Sequence, residues 1–196
     1  MAIKDAYAQA IQLHKLVNDE KQQRVVEKLE KLQKDLLIRN KPSTRLKKTF
    51  RLNTDKSRGI YLWGGVGRGK TLLMDLFFSS LDIKTKRRTH FHRMMSNVHQ
   101  RLNCIRGTED PLDTVAAEIA TDISVLCFDE FYVSDIADAM ILGKLLDSLF
   151  SRDITLVATS NTHPDDLYKD GLQRQQFLPA IQSLQTHTEA INLDSG

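Results

Sequence analysis

One stretch of this chain reads Gly64-Gly65-Val66-Gly67-Arg68-Gly69-Lys70-Thr71 and fits the pattern G-x-x-x-x-G-K-S/T. The apolar run 60–63 before it predicts a buried strand, and the apolar residues of 72–78 after it predict a helix. Glycines let the loop turn its backbone N–H groups toward one point, to which the helix N-terminus adds its positive dipole end. Lys70 would then reach the β- and γ-phosphates of a nucleoside triphosphate, and the Thr71 hydroxyl would hold Mg²⁺. A glycine-rich turn without a ligand is the alternative, and the agreement of loop and flanks argues against it.

Composition predicts one compact domain with a sizeable core. The chain has 196 residues, and its net charge of +3 is too mild to indicate a nucleic-acid partner by itself. No apolar run approaches the roughly 20 residues needed to span a bilayer. The N-terminal residues include an acid and lack an apolar signal core, which argues against secretion. The two cysteines, Cys104 and Cys127, make no disulfide framework, and Cys127 is expected to be a core residue.

Residues 1–44 are predicted to form an N-terminal helical segment. An apolar stripe at helical spacing indicates one amphipathic helix there, preceded by a second. The stripe residues are Val25, Leu29, Leu32 and Leu36 in the later helix and Tyr7, Ile11 and Leu16 in the earlier one. Pro42 is expected to end the later helix, and the basic stretch 41–58 is interpreted as a linker or surface loop.

From Gly59 onward the pattern alternates between strands and helices, which predicts an α/β fold with a parallel five-stranded sheet flanked by helices. We expect strands near 59–63, 85–92, 123–129, 154–160 and 188–193. We expect helices near 70–81, 94–105, 112–121, 135–151 and 174–186.

The apolar strand predicted before Asp129 ends in two carboxylates, Asp129 and Glu130, which is the Walker B arrangement. Asp129 would lie at the carboxyl edge of the sheet, where ligands collect, and would bind Mg²⁺ directly or through water. Glu130 is placed to activate the attacking water as a general base. Many strands end in acidic turns, so the pair alone is a weak signal. Together with the phosphate loop upstream, it indicates a Walker B motif. A glutamate beside the aspartate favours hydrolysis over nucleotide sensing.

Four further residues are considered for the site. Asn161 follows the predicted strand 154–160 and could orient the water or contact the γ-phosphate, with capping of a turn as the alternative. Arg174 begins the next helix and is either an arginine finger for a neighbouring subunit or a surface arginine. His90 and His92 would share one face of the strand 85–92, but no third ligand for a catalytic zinc is evident.

Several longer stretches resemble the ZapE-type cell-division ATPases and their mitochondrial relatives. They are 61–71, 89–95, 126–131, 135–142, 158–161, Pro164, 167–174 and 177–181. The likeness extends from about residue 45 to the C-terminus, and these motifs are far more specific than the phosphate loop alone.

The resemblance implies a P-loop NTPase of the AAA+ class, whose large α/β subdomain occupies 45–196, and ATP hydrolysis with Mg²⁺. It implies that Lys70 contacts the phosphates and Thr71 the Mg²⁺, and that Asp129 and Glu130 are the Walker B pair. It also implies that Asn161 is the sensor 1 residue and Arg174 the arginine finger. The family's helical lid, which helps to clamp the nucleotide, is not found in 1–196. A lidless nucleotide-binding adaptor without turnover is therefore one alternative.

The resemblance also implies partners. Bacterial members of the family associate with the division-ring protein FtsZ, and mitochondrial members act in inner-membrane protein quality control. The acidic N-terminus lacks a mitochondrial presequence, which favours a bacterial, cytoplasmic protein that remodels or regulates a protein partner, with peripheral membrane association left open. A homo-oligomer is expected for the complete protein. A nucleic-acid-binding helicase loader is the other alternative, supported by the basic clusters 45–58 and 84–88 but by no aromatic stacking platform.

Overall fold

A computed structural model describes residues 2–14, 19–40, 58–105, 107 and 109–194. Its strands are β1 (Gly59–Trp63), β2 (Lys86–His90), β3 (Val125–Asp129), β4 (Thr155–Ser160) and β5 (Thr188–Asn192). Its helices are α1 (Ile3–His14), α2 (Glu20–Arg39), α3 (Lys70–Ser80), α4 (Phe91–Cys104), α5 (Pro111–Asp122), α6 (Ile136–Ser151) and α7 (Arg174–His187), with a 3₁₀ turn at Pro164–Asp166. The strands form one parallel sheet in the order β2-β3-β4-β1-β5, which confirms the predicted five-stranded sheet.

The sheet is covered by helices on both faces, and its strands alternate between two cores. Tyr61, Leu126 and Phe128 pack into one core with apolar residues of α4, α5, α6 and α7. Leu62 and Cys127 pack into the other, with residues of α1, α2 and α3. Burial on both faces explains why the inner strands read as continuous apolar runs rather than as alternating ones.

The N-terminal helices pack against this second core. The predicted stripe of α2 is buried, and Leu29 shares its hydrophobic cluster with Leu73 and Phe77 of α3. Asp19 caps α2 by accepting hydrogen bonds from two backbone N–H groups of its first turn. Leu16, Pro42, the predicted boundary at 44–45 and most of the basic stretch 41–58 lie outside the described residues.

The predicted strand 85–92 is wrong at its end, because β2 stops at His90 and α4 begins at Phe91. Polar and apolar residues alternate through 88–93, which imitates a strand, but the helical spacing of Phe91, Met94, Met95 and Val98 prevails because that face is buried. His90 and His92 therefore do not share a strand face. Their rings lie 5.7 Å apart between centroids, one at the strand end and one in the helix.

Candidate functional site

The carboxyl ends of β1, β3 and β4 lie side by side and bring together three of the predicted motifs. Trp63 pairs with Ser160, and Phe128 pairs with Ala158, so the three strands end at the same edge of the sheet. The phosphate loop follows β1, Glu130 follows β3 and Asn161 follows β4. The edge is where parallel α/β sheets bind their ligands, and chain order alone does not reveal that β1 lies beside β4.

The loop 64–69 has the backbone that an anion cradle needs. Gly67 and Gly69 have φ of 80° and 83°, a left-handed conformation that a side chain would strain. A Cβ on Gly67 would meet nothing within 4 Å, so the backbone there is open to a ligand. Helix α3 begins at Lys70, directly behind the loop, and directs its N-terminus toward it.

Lys70 lies folded over the loop. Its Nζ donates to the carbonyl oxygens of Gly64 at 2.6 Å and Gly65 at 2.7 Å. Burial lowers the pKa of Lys70 below its usual range, although the nearby Asp194 carboxylate acts in the opposite direction. The ammonium is thus already held at the loop, and Thr71 next to it is exposed.

A carboxylate of the chain itself lies on the loop. The backbone N–H of Gly65 donates to Asp194 Oδ1 at 2.7 Å, and Arg68 Nε lies 3.4 Å from the same oxygen. Asp194 follows β5, so this contact joins positions 129 residues apart. The loop therefore accepts an anion in this conformation, which is the property a phosphate site requires.

Helix α2 also reaches the loop. Gln22 Nε2 donates to the carbonyl oxygen of Arg68 at 3.2 Å, and the Tyr7 hydroxyl donates to Gln22 Oε1 at 3.0 Å. The Lys21 ammonium donates to the backbone carbonyl of Asp194. These contacts couple the N-terminal helices to the phosphate loop, and the apolar stripe that predicts α2 gives no sign of them.

Asp129 is held by an arginine that the motif analysis assigned to a basic cluster. Arg88 of β2 donates from Nε to Asp129 Oδ2 at 2.7 Å and from Nη2 to Oδ1 at 3.1 Å. Its Nη1 donates to Asp75 of α3. Burial opposes the charge of Arg88, but its hydrogen bonds to the Asp129 and Asp75 carboxylates together outweigh this and hold the pKa of Arg88 above its usual range.

Glu130 has the exposure and backbone of a functional residue. Its side chain is 77% exposed, and its φ of 54° is left-handed, which costs energy in a residue other than glycine. The Glu130 N–H donates to Thr159 Oγ1 at 3.2 Å, and the next N–H, of Phe131, donates to the Thr159 carbonyl at 2.7 Å. His90 Nδ1 lies 3.8 Å from Glu130 Oε2. The end of β4 thus fixes the turn that presents Glu130.

Asn161 is exposed at the end of β4, beside this turn. The neighbouring Ser160 hydroxyl donates to the carbonyl of Phe131 at 2.7 Å, and the Tyr61 hydroxyl donates to the carbonyl of Thr162 at 3.0 Å. The first bond ties the end of β4 to the turn that carries Glu130, and the second ties β1 to the loop after β4. Sequence reasoning considered Asn161 alone and missed the supporting roles of Thr159 and Ser160.

Arg174 is the first residue of α7 and is tied to its own chain. Its Nη2 donates to the carbonyl oxygen of Asp165, in the 3₁₀ turn, at 2.6 Å. Its Nη1 is buried and has no hydrogen-bond partner among the residues described. An unsatisfied buried donor is unfavourable, and an anion from outside could reach this guanidinium only after the side chain turns outward.

The donors available for a divalent cation at this edge are oxygens. They are the Thr71 hydroxyl and the Asp129 carboxylate, a combination suited to Mg²⁺ rather than to a softer metal. Within the described ranges, no group of three His, Cys, Asp or Glu side chains is placed to hold a metal ion, so His90 and His92 belong to no such group.

None of the described helices has both the length and the apolar character of a membrane-spanning segment.

The family model described as AFG1-like ATPase matches residues 1–196, so the likeness includes the N-terminal helices as well as the region from about residue 45. The cell division protein ZapE of Escherichia coli K12 is 57% identical over 139 residues, which are 71% of this chain and 37% of that protein. The chain thus spans little more than a third of the curated relative it matches.

Solved structures show the same fold. The crystal structure of DnaI matches with a TM-score of 0.61 at 15% identity. The match covers 92% of this chain and 86% of the DnaI chain. AMPPCP-bound DnaA from Aquifex aeolicus has a TM-score of 0.58 at 14% identity, over 93% of this chain and 50% of that one. These likenesses establish the predicted P-loop NTPase fold with the AAA+ sheet, and the family model and the ZapE identity establish kinship. The chain belongs to the AFG1-like ATPase family.

Proposed function

We propose that this chain is the Mg²⁺-dependent ATP-hydrolysing core of a protein that acts on a protein partner. The observation that supports this most is the shared sheet edge, where the anion-accepting loop after β1 and the Asp129–Glu130 pair at the end of β3 lie on either side of β4. Each half of that arrangement is common, but together they supply phosphate binding, cation binding and a base. Family membership supports the same reaction.

The residues have separate roles in this proposal. Lys70 exchanges the carbonyl oxygens of Gly64 and Gly65 for the β- and γ-phosphate oxygens, while the loop N–H groups bind the remaining phosphate charge. Thr71 and Asp129 would hold Mg²⁺, which neutralises charge on the β- and γ-phosphates. Glu130 accepts a proton from the attacking water while the oxygen of that water bonds to the γ-phosphorus. The bond to the bridging oxygen then breaks, and ADP leaves with the electron pair. Asn161 orients that water.

Lys70→Ala tests the proposal through binding. We expect it to remove measurable ATP binding, because the substitution deletes the cation that faces two phosphates and leaves the loop's other contacts in place. Titration with a fluorescent ATP analogue and Mg²⁺ measures this. Lys84→Ala, at an exposed lysine outside the loop, is the matched control and should bind as the parent does. Equal binding by the Lys70 variant and the parent would contradict the proposed site.

Asp194→Asn should tighten nucleotide binding by roughly two- to fivefold, because it removes the charge that pairs with Arg68, and an exposed ion pair of this kind is worth about 0.2–1 kcal/mol. The parent carboxylate occupies the Gly65 N–H and lies beside Arg68, and both groups face the phosphates in the proposed complex. The same analogue titration measures the change. Asp122→Asn, at an exposed aspartate ending α5, removes an equal charge elsewhere. Weaker binding by the Asp194 variant would show that the carboxylate assists the nucleotide instead.

The partner proposal rests on kinship. The matched relative from Escherichia coli is named a cell division protein, which supports a cytoplasmic protein that binds a division component, and FtsZ is the candidate carried by that resemblance. We propose homo-oligomerisation with Arg174 as an arginine finger, on the resemblance of the stretch 167–174 to the family. The side chain would have to leave its contact with the Asp165 carbonyl to reach a neighbouring site. We also propose that the protein associates peripherally with a membrane. We further propose that the chain divides into an N-terminal segment, 1–44, and a nucleotide-binding core, 45–196.

A nucleic-acid-binding loader is less well supported by the described surface. Two members of the predicted basic cluster 84–88 are used internally, because Lys86 donates to the carbonyl oxygens of Phe78 and Leu81 and Arg88 binds Asp75 and Asp129. Binding of labelled single-stranded DNA that falls steeply with salt would favour the loader, since phosphate contacts release counterions. Affinity for a division-protein partner without such DNA binding would favour the proposal above.

A further inference from the structure

Arg88 occupies both oxygens of the carboxylate that is proposed to hold Mg²⁺. The two hydrogen bonds, at 2.7 Å and 3.1 Å, form the parallel fork of guanidinium on carboxylate, which is the strong form of this contact. The side chains are only 22% exposed for Arg88 and 14% for Asp129, so water screens the pair little. The carboxylate is thus neutralised and held in one orientation by its own chain.

The position of Arg88 follows from the register of the sheet. Arg88 pairs with Cys127 and His90 pairs with Asp129 on the neighbouring strand, so the long arginine side chain reaches forward along the edge to the carboxylate. β2 is one of the two edge strands of the sheet. The arginine is therefore supplied from outside the two nucleotide motifs, by the strand next to Walker B.

Asp75 gives the guanidinium a second partner. It lies on α3, the helix that begins at Lys70 behind the phosphate loop, and its side chain is 54% exposed. Arg88 Nη1 binds it while Nε and Nη2 bind Asp129. Because the three nitrogen atoms are divided between two carboxylates, Arg88 can release one while it keeps the other.

We propose that Arg88 is a positioning residue that competes with the divalent cation for Asp129 and is retained by Asp75 when the cation binds. The inference rests on the proposed Mg²⁺–nucleotide function and adds to it the residue that sets how much cation the site needs. Two cations that share one carboxylate repel each other, so the arginine must turn from Asp129 for the metal to use it fully. Asp75 favours that turned position.

Metal affinity tests this without any measurement of turnover. Mn²⁺ serves as the probe, because bound Mn²⁺ loses the sharp paramagnetic resonance signal of the free ion. The protein is kept in excess over ADP, so that little free ADP is left to bind the ion. Arg88→Gln should lower the Mn²⁺ concentration for half-saturation by roughly three- to tenfold, and Asp75→Asn should raise it by a similar factor. Arg87→Gln is the matched control, an exposed arginine one position away that should leave it nearly unchanged.

The double variant Arg88→Gln/Asp75→Asn separates retention of Arg88 from a simple loss of charge. If Asp75 acts through Arg88, Asp75→Asn should have little further effect once Arg88 is replaced, and an undiminished effect would overturn the inference. A shift of both single variants in one direction, or an Arg88 shift no larger than that of Arg87→Gln, would overturn the inference while metal uptake by the parent still supported the proposed function. Asp75 is largely exposed, so its variant answers the question even where Arg88→Gln lowers the melting temperature. Failure of the parent to take up Mn²⁺ with ADP would overturn both the proposed function and this inference.

Discussion

Glu130→Gln should retain ATP and lose about 10²–10⁴-fold in hydrolysis rate, the usual contribution of a positioned general base. Glutamine keeps the shape of the side chain and its capacity for hydrogen bonds but takes no proton at neutral pH. The loop and the Asp129 contacts remain as they are, so binding should persist. Single-turnover hydrolysis and filter retention of labelled ATP measure the two properties separately.

Glu109→Gln provides the control, since it makes the same change at an exposed glutamate away from the sheet edge. Its rate should match that of the parent. A Glu130 variant that hydrolyses ATP at the parent's rate would remove Glu130 from the proposed mechanism. One that no longer binds ATP would show a role in holding the site together. Glu130 has a left-handed φ of 54°, so a loss of ATP binding would indicate that its side chain helps to hold this strained backbone.

Arg174→Ala should lower the hydrolysis rate of the assembled protein by about 10³–10⁵-fold if its guanidinium stabilises the charge that develops on a neighbouring subunit's phosphate. In the structure its Nη2 is bound to the carbonyl of Asp165 and its Nη1 is buried without a partner. The guanidinium must leave that carbonyl to work in a neighbouring site. Nucleotide binding by the isolated subunit should be unaffected, because the Arg174 side chain contacts the 3₁₀ turn rather than the loop.

Mixing two inactive variants reveals action between subunits. A Glu130→Gln subunit supplies Arg174, and an Arg174→Ala subunit supplies Glu130, so a mixture should recover activity that neither variant has alone. Arg93→Ala, at an exposed arginine of α4, is the control for loss of a surface charge. Absence of recovery at concentrations where the parent is fully active would contradict an arginine finger.

Local patterns predicted the phosphate loop, the Walker B pair and most element boundaries, because each depends on residues adjacent in the chain. The error at His90 and Phe91 arose where a short alternating stretch opened an amphipathic helix, and only burial of its helical face distinguishes the two. Arg88 was assigned to a basic cluster because its partners, Asp75 and Asp129, are distant in sequence. Arg88 reaches Asp129 because β2 pairs with β3 in the sheet, and the sequence does not show this strand order.

Contacts between distant segments were beyond prediction for the same reason. Gln22 reaches the loop across 46 positions and Asp194 across 129, and neither lies in a recognisable motif. Glu130 was found through its neighbour Asp129, but its backbone strain follows from hydrogen bonds to Thr159 on another strand. Two local motifs thus predict the candidate phosphate and Walker B residues, whereas the contacts that hold these residues come from distant parts of the chain.

Steady-state phosphate release from ATP, measured over a wide range of protein concentration with Mg²⁺ and with EDTA, tests the central claim most directly. The account predicts Mg²⁺-dependent release that disappears in Lys70→Ala and whose specific rate rises with concentration as subunits complete one another's sites. Binding of ATP without release at any concentration would identify a nucleotide-binding adaptor. Release that is unaffected by Lys70→Ala would contradict the proposed active site.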